Sequence, residues 1–101
     1  MLQAQIFIDA DELKGTQTLQ DYIMHFLIKH KVKGATVFRG RFGFGEGQLM
    51  KRPNDLFSFD ETPLMITFID EEEKVKQTLT ALRSEWKGGL ILTHQVEEWT
   101  K

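Results

Sequence analysis

The sequence has no cysteine, only two prolines and no long apolar run. Without cysteine the fold has neither a disulfide bond nor a thiolate nucleophile, a composition that suits a reducing compartment such as the cytoplasm. No stretch approaches the roughly 18 apolar residues of a membrane-spanning helix, and the N-terminus lacks the basic start of a targeting segment. With 41% hydrophobic residues, the composition predicts a single globular domain over residues 1–101, located in the cytoplasm.

Net charge is also small, at −2, which argues against nucleic acid as a partner of the whole molecule. The charges are nevertheless unevenly distributed. Residues 29–52 contain seven lysines and arginines and one acidic residue, whereas residues 53–73 contain seven acidic residues and no basic one. Two interpretations are open: two solvated patches, or an anion site in the basic stretch facing acidic groups on a neighbouring subunit.

Hydrophobic periodicity predicts four strands and two helices. Alternating apolar residues or β-branched and aromatic runs predict strands over residues 2–9, 35–42, 63–70 and 90–99. Residues 10–17 are predicted to form a loop. A helix face repeats at Leu19, Ile23, Phe26, Leu27 and His30, with Thr16 or Thr18 as its cap and Gly34 as its end. A second face repeats at Val75, Leu79, Leu82 and Trp86, with a capping-box pattern at Asp70 and Glu73 and a stop at Gly88.

The resulting order, β-α-β-β-α-β, predicts an α+β, ferredoxin-like sandwich: a four-stranded antiparallel sheet with two helices on one face. The strands carry apolar residues at both odd and even positions, for example Val37 beside Phe38 and Leu64 beside Met65. Helices can cover only one face, and soluble monomers rarely expose a large apolar patch. We therefore expect the second face to be buried against copies of the same chain.

The segment GATVFRGRFGFGEGQL, residues 34–49, is the candidate binding element. Gly43 and Gly45 begin a G-x-G pattern, but Gln48 replaces the third glycine of a dinucleotide fingerprint and no helical period follows. Glu46 and Gly47 replace the lysine and hydroxyl residue of a phosphate-binding P-loop. The pattern leaves two interpretations, a flexible hairpin or a glycine-rich anion nest.

Arg39 and Arg41 are two residues apart in the second predicted strand, so both side chains should point to one face. Two arginines beside a glycine loop suit a phosphate or carboxylate ligand. An ion pair with the acidic stretch of a neighbouring subunit is an equal alternative.

The residues that usually carry catalysis are sparse. His25 and His30 are five residues apart on a helix and do not share a face, and no H-x-x-x-H or cysteine pattern indicates a metal. Ser58 and Ser84 are the only serines, and neither lies in a nucleophile motif. We therefore expect neither an enzyme nor a metal site.

The residues GATVFRGRFGFGEG, the early DELKG, the third strand ending in Asp70, and the pair Gly88 and Gly89 together resemble the PII-like family known as domain of unknown function 190. More distantly, the second strand and its G-F-G resemble PII signalling proteins. The resemblance implies a homotrimer with its sheets facing inward and an adenine nucleotide held between subunits. Carried over residue by residue, the ligand would meet Gly43, Phe44 and Gly45, with Gly88 and Gly89 as another wall.

This sequence departs from the PII pattern in two places. Glu46 stands where PII proteins have a basic residue, and the short turn at Gly88 and Gly89 replaces a longer, lysine-bearing loop. These departures favour a ligand with few phosphates, such as AMP, and no cofactor beyond it is expected. Tyr22, the single tyrosine, lies on the first helix, so the resemblance does not imply the modification switch of PII loops.

The candidate ligand-binding residues are Arg39, Arg41, Gly43, Phe44, Gly45, Glu46, Gly88 and Gly89. The leading hypothesis is a regulatory protein that binds a small anionic metabolite or adenine nucleotide, with a loop over residues 43–61 that is ordered by the ligand and engages a partner. The resemblance permits a membrane transporter or channel as that partner without identifying it. The alternative is a structural or partner-binding homotrimer without a ligand.

Overall fold

The computed structural model describes residues 1–44 and 62–100. Its elements are β1 (Leu2–Asp9), β2 (Leu13–Lys14), β3 (Gln17–Thr18), α1 (Leu19–Lys29), β4 (Ala35–Arg39), β5 (Pro63–Asp70), α2 (Glu72–Glu85) and β6 (Leu90–Gln95). The four longer strands form one antiparallel sheet in the order β4-β5-β1-β6. The predicted ferredoxin-like α+β sandwich is confirmed.

The core lies between the two helices and one face of the sheet. In β1, every second side chain is buried, beginning with Leu2, and the residues between them are only partly buried. The buried residues of α1 and α2 belong to the same cluster, which includes Ile23, Leu27, Val75 and Leu82. Alternation with period two and recurrence with period 3.6 therefore converge on one core, as the sequence predicts.

The other side of the sheet, the open face, consists of residues that lie opposite one another in the strand register: Thr36, Phe38, Met65, Thr67, Ile69, Gln3, Gln5, Phe7, Leu90, Leu92 and His94. Phe38, Leu90 and Leu92 are 53%, 54% and 44% exposed. The prediction that apolar residues occupy both faces of the sheet is therefore confirmed. Within the described residues, no element covers this face.

The start of α1 follows the sequence prediction, whereas its end does not. The Thr18 hydroxyl accepts a hydrogen bond from the backbone N–H of Asp21 at 3.1 Å. The helix ends at Lys29 rather than near Gly34, because Val32 N–H bonds to Leu27 C=O and Lys31 adopts a left-handed φ of 62°. This is a Schellman-type end, in which the partly buried Val32 fixes the chain reversal and Lys31 takes the position that glycine usually occupies.

The predicted capping box of α2 is wrong. Asp70 is the last residue of β5, and Glu71 occupies the N-cap position without a side-chain cap. The buried Asp70 carboxylate accepts hydrogen bonds from the backbone N–H groups of Glu71, at 2.8 Å, and Lys33, at 3.0 Å. Its role is therefore to tie the segment after α1 to the start of α2.

The predicted loop over residues 10–17 contains a small hairpin instead. β2 and β3 pair antiparallel on either side of Gly15, whose φ is 65°. Glycine in a two-residue turn matches the twist of a hairpin, and two residue pairs suffice to close it. The hairpin contacts α1, and the Lys14 ammonium donates to the Glu85 carbonyl at 3.0 Å.

Tyr22 joins the two helices, since its hydroxyl donates to the Glu85 carboxylate at 2.6 Å. Burial and the adjacent carboxylate raise the pKa of Tyr22 from 10.0 to about 12. The folded state thus favours the neutral phenol, and the stability that this provides, complete below about pH 10, is lost as the pH rises toward 12.

Since Tyr22 is the single tyrosine, ultraviolet absorbance should report phenolate formation with a midpoint well above that of free tyrosine. Glu85→Gln should lower the midpoint, and an ordinary midpoint in the folded wild type would contradict the assignment.

Candidate functional site

The first part of the candidate site is the segment that leaves β4. Gly40 N–H donates to the Pro63 carbonyl at 2.7 Å. A Cβ atom at Gly40 would lie 2.8 Å from Pro63 Cγ and 3.2 Å from its carbonyl oxygen, so this close approach requires glycine. Gly43 also lies beside Pro63, with room for a Cβ at 3.6 Å from its Cγ. The exit of β4 is therefore packed against the first residue of β5.

The two arginines take different positions. Arg39 is the last residue of β4, pairs with Leu64 and donates from Nη2 to the Thr62 hydroxyl at 3.4 Å. Arg41 lies beyond the strand, in a bend. The prediction that both share one strand face is therefore wrong for Arg41, because the strand alternation ends two residues earlier. Both side chains are exposed.

Of the remaining predicted residues in this segment, Phe44 is described and is 65% exposed. Gly45 and Glu46 lie outside the described residues, as do positions 45–61 of the predicted loop. Phe42 is exposed to a similar extent, at 58%. The end of β4 thus presents two aromatic rings and two guanidinium groups to solvent.

The second part of the candidate site is the turn between α2 and β6. Gly89 has a φ of 63°, and a Cβ there would lie 2.7 Å from the carbonyl oxygen of Phe7. A Cβ at Gly88 or Gly89 would also approach the indole of Trp86 within 2.9 or 2.7 Å. The two predicted glycines therefore rest directly on a buried tryptophan and on the end of β1.

The strand register brings these two parts to the same end of the sheet. Arg39 pairs with Leu64, Leu64 pairs with Ile8, and the pairing of Phe7 with Leu90 places Gly89 beside Ile8. The parts lie on the two edge strands, separated by three strand spacings, roughly 14 Å. Beside them on the open face runs an apolar row: Phe38, Met65, Phe7 and Leu90. Arg39 follows Phe38 in β4 and pairs with the buried Leu64, so its side chain lies on the helix-covered face. A ligand that contacts both the apolar row and the Arg39 guanidinium would therefore extend around the edge strand β4.

The described part of the acidic stretch, residues 70–73, lies at the other end of β5. Asp70 is six residues from Leu64, roughly 20 Å along an extended strand. Its carboxylates pair locally: Lys33 Nζ lies 3.9 Å from Asp70 and 3.8 Å from Glu71, and Lys76 Nζ lies 3.0 Å from Glu72. Within one subunit, these groups are therefore too distant to pair with Arg39.

Sequence reasoning missed Arg83 and Thr62. Arg83 contacts the turn at Gly88, whereas Thr62 is fully buried beneath Arg39. A cation in the last turn of a helix is ordinary, so the sequence offered no signal for Arg83. The signal for Thr62 was its position just before the third strand, which by itself is not specific.

The described part of the chain offers little for other chemistry. Across residues 1–44 and 62–100, no group of three histidine, aspartate or glutamate side chains could hold a metal ion. His94 donates from Nε2 to the Gln3 side-chain oxygen at 2.7 Å, and the Gln3 amide donates to Thr67, which identifies a packing role on the open face. Within the same ranges, neither helix has the length and apolar character needed to cross a membrane.

Comparison with known proteins identifies the family. The model of the family DUF190, described as "Uncharacterized ACR", matches residues 1–98. The chain belongs to this family. Two UPF0166 proteins of Aquifex aeolicus (strain VF5) are also similar to this DUF190 chain. One is 31% identical over 94 residues, covering 92% of this chain and 88% of the relative. The other is 30% identical over 84 residues, covering 82% and 85%.

Among solved structures, the DUF190 chain is similar to CPII, a nitrogen regulatory PII-like protein from Thiomonas intermedia K12 that was solved bound to ADP, AMP and bicarbonate. The TM-score is 0.67 at 20% sequence identity, with 92% of this chain and 82% of CPII covered. At this identity, the likeness establishes the shared fold. The predicted membership of the DUF190 family is confirmed by the family model.

Proposed function

We propose that this protein is a cytoplasmic, non-catalytic PII-like regulator that binds a small anion or an adenine nucleotide, with AMP as the leading ligand. The observation that carries the proposal is the strand register, which brings Arg39 and the Gly88–Gly89 turn to one end of the sheet beside an apolar row. The apolar row on the open face provides a surface for the base. Arg39, on the helix-covered face at the edge of β4, and Arg41, beyond the strand, provide charge for a phosphate that reaches around this edge.

The similarity to CPII supports the same class of ligand, because CPII was solved with ADP, AMP and bicarbonate. The proposal extends to all the candidate residues: Gly43, Phe44, Gly45, Gly88 and Gly89, which the resemblance assigns, and Arg39, Arg41 and Glu46, which the residue pattern adds. In the proposed homotrimer, the open face is turned inward and a neighbouring subunit closes the cleft. The segment after Phe44 would then engage a partner, for which a membrane transporter or channel is the candidate.

Calorimetric titration of AMP, ADP, ATP and bicarbonate into the wild type and Arg39→Ala tests this proposal. A charge-assisted hydrogen bond contributes roughly 1.5–3 kcal/mol, so Arg39→Ala should weaken AMP binding about ten- to hundred-fold. Lys29→Ala is a matched control, because Lys29 is an exposed cation in the last turn of α1 and lies away from the row. It should bind AMP as the wild type does.

Two results would count against the proposal. If none of the four ligands binds the wild type, the ligand-free homotrimer becomes the better interpretation. If the wild type binds AMP and Arg39→Ala binds it equally well, the assignment of Arg39 to the ligand is wrong, whereas the cleft itself remains.

A further inference from the structure

Arg83, in the last helical turn of α2, contacts the Gly88–Gly89 turn that follows the helix. Arg83 donates from Nη1 to the Gly88 carbonyl at 2.6 Å and to the Trp86 carbonyl at 3.4 Å. Its guanidinium carbon lies 5.2 Å from the centre of the Trp86 ring system. One arginine therefore contacts both the backbone of the turn and the aromatic side chain beneath it.

The Trp86 side chain packs directly beneath this turn. It is 9% exposed and belongs to the core cluster. The indole lies so close to Gly88 and Gly89 that neither position has room for a Cβ. Because two consecutive glycines lose much conformational entropy on ordering, the turn needs external contacts to hold one conformation. Trp86 packs beneath the turn, and Arg83 donates hydrogen bonds to the carbonyl oxygens of Trp86 and Gly88.

These contacts also decide which backbone groups an anion would meet. Carbonyl oxygens repel an anion, whereas N–H groups attract it. Arg83 occupies the carbonyls of Trp86 and Gly88 and keeps a positive charge beside the turn. Lys87 adds a second cation and donates to the Arg83 carbonyl at 3.1 Å. The adjacent carboxylate, Glu85, is engaged by the Tyr22 hydroxyl.

We propose that Arg83 is a positioning residue of the ligand site, which acts through Gly88 to hold the Gly88–Gly89 turn in its binding conformation. The inference rests on the proposed function for its ligand, an anionic metabolite or adenine nucleotide. Arg83 lies in helix α2, outside the candidate binding segment of residues 34–49. It would hold the short turn in one conformation, as the contacts of a longer loop would otherwise do. Trp86, packed under the same turn, becomes an optical reporter of its conformation.

Three variants separate charge from geometry. Arg83→Met removes the donors but keeps an apolar stem over Trp86, and Arg83→Lys keeps the charge but has no planar group to contact two carbonyls. Lys76→Met is the matched control, since Lys76 is an exposed cation on α2 that pairs with Glu72. All are made in a Trp99→Phe background, because Trp99 is 85% exposed and its removal leaves Trp86 as the single tryptophan.

Two readouts are measured for each variant: AMP affinity by calorimetry, and amide hydrogen exchange of Gly88 and Gly89 without ligand. Losing one charge-assisted hydrogen bond should weaken AMP binding about tenfold and accelerate exchange of both amides by a similar factor. Arg83→Lys and Arg83→Met should behave alike, with Trp86 emission shifted to longer wavelength. Lys76→Met should match the background protein, and circular dichroism should show all four folded.

The two readouts distinguish the inference from the proposed function. If the wild type binds no nucleotide, the proposed function fails, but faster exchange in both Arg83 variants still supports the positioning role. Unchanged exchange at Gly88 and Gly89 overturns that role. Faster exchange with unchanged AMP affinity would show that the turn conformation does not affect AMP binding. If Arg83→Lys behaves as the wild type does, the positive charge alone is sufficient and the planar guanidinium is not required. If Arg83→Met does not fold, Arg83→Lys decides the question alone.

Discussion

Gly89→Ala is expected to lower the free energy of unfolding by about 2–4 kcal/mol. Gly89 has a φ of 63°, a conformation that costs any residue with a Cβ roughly 1–3 kcal/mol. The new Cβ would also lie 2.7 Å from the backbone oxygen of Phe7, which cannot move without disturbing the pairing of β1 with β6. In thermal unfolding at a fixed protein concentration, the midpoint should fall by roughly 10–20 °C.

Two other glycines separate the causes of this loss. Gly15 has a φ of 65°, and no atom lies within 4 Å of the position that a Cβ would take, so Gly15→Ala should show the backbone strain alone, about 1 kcal/mol. Gly34 has neither a left-handed φ nor a close neighbour, and Gly34→Ala should change stability by less than about 0.5 kcal/mol. Equal losses in all three variants would contradict the steric explanation for Gly89.

Leu92→Asp is expected to convert the proposed trimer into monomers. Leu92 lies on the open face opposite Gln5 and is 44% exposed in the single subunit, so the substitution should cost an isolated subunit little. In a trimer with inward-facing sheets, each copy would instead bury an unpaired carboxylate, at several kcal/mol each. Light scattering of the wild type at micromolar concentration should give three times the chain mass, and Leu92→Asp should give one.

Leu13→Asp is the control for this experiment. Leu13 lies in the β2–β3 hairpin and is 66% exposed, so Leu13→Asp introduces the same charge on a different surface. It should remain trimeric. A monomeric wild type would require another explanation for the exposed apolar row, and a Leu92→Asp variant that stays trimeric would place the subunit contact away from the open face.

The fold could be predicted from the sequence because only a few arrangements of strands and helices satisfy its local patterns. The alternation in β1, the repeat in α1 and the order of elements all predict a sheet covered by helices on one side, and the register confirms it. The errors occur where a long-range contact overrides a local signal. Asp70 resembles a helix cap in the sequence, but its carboxylate also accepts a hydrogen bond from Lys33, 37 residues away. No pattern of neighbouring residues contains that partner.

The candidate site was less accessible to sequence reasoning. The glycines at 43, 88 and 89 stand out in the sequence, but the reason for Gly89 is the tryptophan below it and the strand beside it. Strand alternation predicts that Arg41 shares a face with Arg39, whereas β4 ends at Arg39. Arg83 carried no signal, because its contact with Gly88 depends on how α2 ends.

By itself, the sequence determined which residues are buried and which strand faces are apolar, because side-chain period and hydrophobicity are properties of neighbours along the chain. It also determined the family, through motifs that span most of its length. Only the tertiary structure decided that Arg39 and Gly89 lie at the same end of the sheet and that Asp70 lies at the other. Strand order and register fix those distances, and both arise from packing between residues far apart in the sequence.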